Sequence, residues 1–127
     1  MAYSQAVAGL LPGTTYYFWS VVNNAEGTAF GPILFFTTSP NPPTATTGSA
    51  TSLTGTSATL NGSSNPGGTN ATAWFRYSTT SPGVGNDTSG TRLPGSGGSA
   101  LASGTSTVAF SQAASGLTAG QTYYYWA

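Results

Sequence analysis

The sequence predicts an all-β protein, an antiparallel β-sandwich, and three observations carry that expectation. No stretch of ten or more residues repeats its apolar positions at a 3.6-residue period. Short runs rich in β-branched and aromatic residues recur instead, each bounded by Gly, Pro, Asn or Ser. Finally, residues 3–20 (YSQAVAGLLPGTTYYFWS) return as residues 110–127 (FSQAASGLTAGQTYYYWA), identical at 10 of 18 positions with an offset of 107. A period of that length is the size of a domain, not of a solenoid turn.

Strands are expected along the chain at 3–8, 15–23, 29–38, 45–52, 56–62, 71–78, 105–114 and 121–127. The first is closed by Leu10-Leu11-Pro12-Gly13, where Pro fixes φ and Gly supplies a positive one. Tyr16-Tyr17-Phe18-Trp19 and Ile33-Leu34-Phe35-Phe36 are the aromatic and branched hearts of the next two, and the turn between them holds Glu26. Ser39-Pro40-Asn41-Pro42-Pro43 stiffens the connection and cannot sit in a central strand, so it divides the chain into 1–39, a linker 40–43, and 44–127. Asn65-Pro66-Gly67-Gly68 is the turn between the 56–62 and 71–78 strands. Residues 81–104, dominated by Gly, Ser and Thr, read as a long loop with at most one edge strand.

Those residues resemble a known family. Leu10-Leu11-Pro12-Gly13-Thr14-Thr15-Tyr16, then Val21-Val22-Asn23-Asn24-Ala25-Glu26-Gly27, then Phe35-Phe36-Thr37-Thr38, is similar to the last three strands of a fibronectin type III domain. Pro43-Thr44 through Thr59-Leu60-Asn61-Gly62 and Ala73-Trp74-Phe75-Arg76-Tyr77 resembles the first strands of the next such immunoglobulin-like sandwich. The match is to the Ser/Thr/Gly-rich form that occurs in tandem on bacterial extracellular proteins. It implies that Leu10 with Tyr16, and Leu117 with Tyr123, form the tyrosine corner that pins the loop before the second-last strand. Residues 1–39 then hold only the last strands of one unit, and 44–127 a unit without its final strand. Two readings follow: a window of a longer tandem array, or a unit completed by a strand from a neighbour.

Strand alternation sorts the side chains into faces. With Tyr16 inward, Phe18, Ser20, Val22, Leu34 and Phe36 are expected inward too, leaving Tyr17, Trp19, Val21, Ile33 and Phe35 outside. In the second copy Ala73, Phe75 and Tyr77 point in, while Trp74, Arg76, Tyr124 and Trp126 point out. A contiguous exposed apolar face of this size marks an interaction surface. A bulge that shifts the alternation would instead bury these rings, and a flanking loop would cover them.

Composition narrows the function classes. The 127 residues hold two Arg, two acidic residues, no His and no Cys, with a net charge of zero; charged residues are 3% of the chain, against roughly 25% in an ordinary domain. No thiol nucleophile, imidazole base or ordinary zinc or haem site can be built. Two isolated Arg cannot neutralise a phosphate backbone, so no nucleic-acid partner is expected. No run of about 20 apolar residues exists for a helical span, so no membrane insertion is expected. Met1-Ala2-Tyr3 leads into a polar strand with no basic segment of a secretory leader.

The only carboxylates, Glu26 and Asp87, are not brought together by anything in the pattern, and one carboxylate beside Asn86 and Thr88 is a poor calcium set. No enzyme activity and no cofactor is therefore expected. Three Asn-x-Ser/Thr sequons, at Asn61, Asn70 and Asn86, permit N-glycosylation, and 78–107 permits O-glycosylation; bound sugar would supply the solubility that charge does not. With 39 Ser and Thr and no net charge to keep copies apart, the chain is expected to pack against itself. The expected role is an extracellular or cell-surface building block joined end to end in a filament or array. The alternative is an adhesive, carbohydrate-binding module stacking sugars on Tyr17, Trp19, Trp74, Tyr124 and Trp126.

Overall fold

The computed structural model describes residues 1–127, and all of its regular structure is antiparallel β, as the sequence predicts. Residues 15–37 form one long hairpin in two stretches. β1 (Thr15–Phe18) and β2 (Val21–Asn24) run out; β3 (Gly27–Phe30) and β4 (Leu34–Thr37) return. β1 pairs with β4 and β2 with β3. The Asn24 side chain builds the turn, its Oδ1 accepting the N–H groups of Glu26 and Gly27, with Gly27 at φ +149.

A bulge interrupts the hairpin. Phe18 lies opposite Leu34, but Val21 lies opposite Phe30, so Trp19 and Ser20 face the three residues Gly31, Pro32 and Ile33. Gly31 donates its N–H to the Ser20 carbonyl at 2.9 Å, and a Cβ there would collide with the Ser20 hydroxyl. Pro32 has no N–H to give the ladder, so the strands expected at 15–23 and 29–38 each break in two. The strand expected at 3–8 does not form. No neighbouring strand offers those residues a ladder, and they stay exposed and outside any sheet.

The remainder, 44–127, contains β5 (Thr44–Thr47), β6 (Ser57–Asn65), β7 (Ala71–Ala73), β8 (Phe75–Ser78), β9 (Thr91–Leu93), β10 (Ser99–Leu101), β11 (Val108–Ser115) and β12 (Tyr124–Trp126). One sheet has the order β11-β6-β5 and a second β12-β8-β9, with β7 and β10 as a small ladder beside them. Residues 81–104, expected to hold at most one edge strand, hold two, β9 and β10. Their local sequence is weak in β-formers, and pairing with β8 and β7 decides the matter.

The core lies between the two larger sheets, as in a sandwich. Ala58 and Leu60 of β6 and Phe110 and Ala114 of β11 meet Phe75 of β8, which is only 1% exposed. The rings of Phe75 and Phe110 sit 5.0 Å apart at 40°. Gly62 leaves room for the Phe110 ring, 3.0 Å from where a Cβ would stand. Leu93, Leu117 and Tyr125 close the margins.

The hairpin joins this body through a glycine joint. Asn41 donates to the Gly67 carbonyl at 2.8 Å and Gly13 to Ser39 at 3.3 Å. Gly68, at φ +100, lies so close to Pro12 that a Cβ would stand 2.8 Å from its carbonyl oxygen. Asn65 braces the turn, accepting from Gly67 N–H and donating to the Thr105 carbonyl.

Candidate interaction surfaces

The two halves of the repeat share one local device. The Leu11 N–H donates to the Tyr16 hydroxyl at 2.9 Å, and 107 residues later the Thr118 N–H donates to the Tyr123 hydroxyl at 3.0 Å. Leu10 and Leu117 are each half-buried beside that bond. From this common anchor β1 and β12 run through nearly the same residues, Tyr-Tyr-Phe-Trp and Tyr-Tyr-Tyr-Trp.

Around β1 the side chains are bare. Tyr17, Trp19, Val21, Ile33 and Phe35 are exposed, Trp19 at 53% and Phe35 at 69%, and the Tyr17 and Phe35 rings lie 6.1 Å apart. The bulge adds Phe30 to this face beside Val21. Counting by twos through residues 31–33 misses it, and Gly31-Pro32 was the signal that could have revealed it. The opposite face corrects an expectation. Phe18, Val22, Leu34 and Phe36, expected inward, face solvent, because no second sheet lies against the hairpin. Phe36 stacks on Tyr16 at 5.9 Å and touches Phe18 at 5.9 Å, yet is 40% exposed. Both faces of the hairpin are thus apolar and open.

Around β12 the same kind of ring is covered. Trp126 lies opposite Arg76 in the β12–β8 ladder, and its Nε1 donates to the Asn86 carbonyl at 2.6 Å, while the Gly85 backbone lies against its ring. Trp74 Nε1 donates to Asp87 Oδ1 at 2.9 Å, and Arg76 Nε donates to the same oxygen at 2.8 Å. Arg76 reaches on to the Ser89 and Gly90 carbonyls. Its side chain is 15% exposed, against 62% for Asp87. The Arg76 hydrogen bond, then that of Trp74, holds the Asp87 carboxyl below its ordinary value, with the charges of Arg76 and Arg92 adding to the effect.

Arg92 stands directly opposite Arg76 and lays its guanidinium 4.5 Å over the Trp74 ring, while donating to the Pro94 and Gly97 carbonyls. Three of the chain's four charged side chains and two of its three Trp therefore converge on one sheet face, under the segment 85–90. Tyr124 alone among the outward positions of β12 stays exposed. The parts played by Asp87 and Arg92 were not legible in the sequence, which placed both in a loop without partners.

The sequons differ in setting. Asn61 sits in β6 with its amide donating to the Ser49 carbonyl and the Thr51 hydroxyl. The Asn70 Oδ1 accepts from Ser103 N–H. Asn86 Oδ1 accepts from the Thr88 N–H and hydroxyl and from Ser89 N–H, which shapes the segment over Trp126. Glu26, at the hairpin turn, makes no ion pair, and Asp87 is committed to Arg76. The surfaces offer rings, hydroxyls and amides, which suit packing and stacking. No family model, curated protein or solved structure matches this chain.

Proposed function

We propose that this chain is a structural subunit of an extracellular filament or surface array, built from fibronectin type III-like units joined end to end. The observation that carries the reading is the hairpin Thr15–Thr37, whose two faces both expose large apolar side chains. An isolated two-stranded hairpin is marginal in water, so a stable one needs a covering layer. Tyr17, Phe18, Trp19, Phe30, Phe35 and Phe36 are between 40% and 70% exposed. Aromatics of about 150–250 Å² each then offer several hundred Å², approaching the roughly 800 Å² that one partner brings to a standard interface. The paired tyrosine-hydroxyl bonds at 11–16 and 118–123, and the two facing sheets of 44–127, support the type III-like reading. A neutral, Ser/Thr-rich surface suits a building block whose faces are covered by neighbours or sugar.

A second reading, a carbohydrate-binding or adhesive module, draws on the open hollow lined by Trp74, Arg76, Asn86, Asp87 and Trp126. Electron microscopy and light scattering of the purified chain, beside Trp19→Ser, separate the two. Assembly predicts uniform polymers that the substitution disperses. A monomeric wild-type chain that binds a glycan array removes the first reading.

A further inference from the structure

Resting on the assembly reading, we propose that the hairpin Thr15–Thr37 of a second copy of this chain exchanges into the place of β12, with its β1 pairing on β8 and its β4 filling the groove beyond. Sequence equivalence is the first ground. Tyr16, Tyr17, Phe18 and Trp19 match Tyr123, Tyr124, Tyr125 and Trp126 at the common offset, and each set is anchored by the same hydroxyl bond five residues upstream.

The two strands use opposite edges. β12 pairs with β8 through one edge. Its other edge borders an open groove lined by Thr47, Gly48, Ser49, Tyr123, Tyr124 and Tyr125. β1 pairs with β4 and leaves its other edge bare. The Thr14 carbonyl accepts from Thr38 N–H, so at a period of two the backbone groups of Tyr16 and Phe18 face β4, and those of Tyr17 and Trp19 the bare edge. In the second copy Ala127, which shares the parity of Tyr123 and Tyr125, donates its N–H to the Thr47 hydroxyl, away from β8. The edge of β1 that is free therefore corresponds to the edge of β12 that β8 uses. Laid over β12, the hairpin keeps its own pairing intact and brings β4 against Thr47, Gly48 and Ser49, along the edge where β12 makes no ladder.

The exchange keeps most of what β12 makes and adds packing. Trp19 takes the Asn86 carbonyl bond of Trp126, and Tyr17 stands opposite Ser78 as Tyr124 does. Phe18 gives up the bond from the Tyr125 hydroxyl to the Gly48 carbonyl. In return Phe36, already stacked on Tyr16, arrives at the apolar cleft of about 170 Å³ beside Leu60, Ala114 and Leu117, with Tyr16 in the place that Tyr123 leaves. Charge agrees as well. The hairpin carries Glu26 alone, a net −1, while 44–127 carries Arg76, Arg92 and Asp87, a net +1. Donor and acceptor lie on different parts of each copy, so the contact is head-to-tail and propagates into an open polymer.

Two double variants of the full chain test this, since the protein has no cysteine of its own. In S78C/Y124C the new thiols stand in register within one copy, and oxidation locks β12 on β8. The oxidised chain is expected to remain monomeric at concentrations where wild type assembles, and reduction is expected to restore assembly, which also serves as the folding control. In S78C/Y17C the thiols meet only after exchange, and a non-reducing gel is expected to show a ladder of linked dimers and longer species. A locked S78C/Y124C chain that assembles like wild type overturns the exchange and leaves the assembly reading standing. A wild-type chain that stays monomeric, with S78C/Y17C unlinked, overturns both.

Discussion

β1 and β12 are almost the same peptide in two surroundings, and only one of them is covered. Trp126 is roofed by Asn86 and Gly85, and Tyr125 reaches the Gly48 carbonyl at 2.7 Å. Their counterparts Trp19 and Phe18 meet water. What a strand buries is therefore set by the sheets and loops brought to it, not by its own alternation of side chains. The 44–127 body owns a core; the hairpin owns only cross-strand ring pairs, which are worth roughly 0.2–1 kcal/mol each.

The sharpest way to test that contrast is to truncate one ring in each region. Phe75→Ala removes the most buried ring of the core, where the expected cost is about 3–5 kcal/mol, enough to abolish the cooperative thermal transition of a marginal body. Phe35→Ala, on the open hairpin, is expected to leave the stability of the unassembled chain, read from its thermal melt, within about 0.5 kcal/mol of wild type. Equal losses at both sites would mean that the hairpin is buried in solution.

The joint between the regions comes next. Gly68→Ala forces a side chain into a positive φ and against the Pro12 carbonyl, an expected cost of about 1–3 kcal/mol that falls on the docking of the hairpin. Small-angle scattering should then show a larger radius with the β signal retained; an unchanged radius would say that the joint has other means of holding. A smaller effect separates the two anchoring tyrosines. Tyr123→Phe removes the bond to Thr118 beside the core and should cost about 1 kcal/mol, whereas Tyr16→Phe, its counterpart in the open hairpin, should barely move the melt. A full cost at Tyr16 alone would reverse the comparison.

Much of this contrast was legible in the sequence and some was not. The all-β class, the repeat and the inward parity of Phe75 follow from periodicity and self-similarity, which are local properties. The bareness of Phe18 and Phe36 was not legible, because alternation names a face without saying whether anything lies against it. Phe30 stands opposite Val21 because of the bulge at Gly31-Pro32, a one-residue slip that a period of two cannot register. The strand β9 and the roof over Trp126 come from residues poor in β-formers, held by Arg76, Arg92 and Asp87 across separations of 11 to 18 residues that no local pattern encodes.

That roof gives the smallest and most specific effect. The Asp87 carboxyl is held below its ordinary value by Arg76 and Trp74, so its contribution is fully present above the unfolded value near 4 and is lost as pH falls through the lower folded value. Because the carboxylate is exposed, salt also weakens the pair. The body should stay folded when Asp87 is protonated, since Phe75 and Phe110 do not depend on it. The segment over Trp74 and Trp126 should loosen, and their emission should shift to the red below about pH 4. Trp19, already exposed, supplies a constant background. Asp87→Asn should show the shifted emission at neutral pH and lose the acid step, while keeping the core melt. An acid step that persists unchanged in Asp87→Asn would place its origin elsewhere and leave the cover over Trp126 to backbone packing by Gly85 and Asn86 alone.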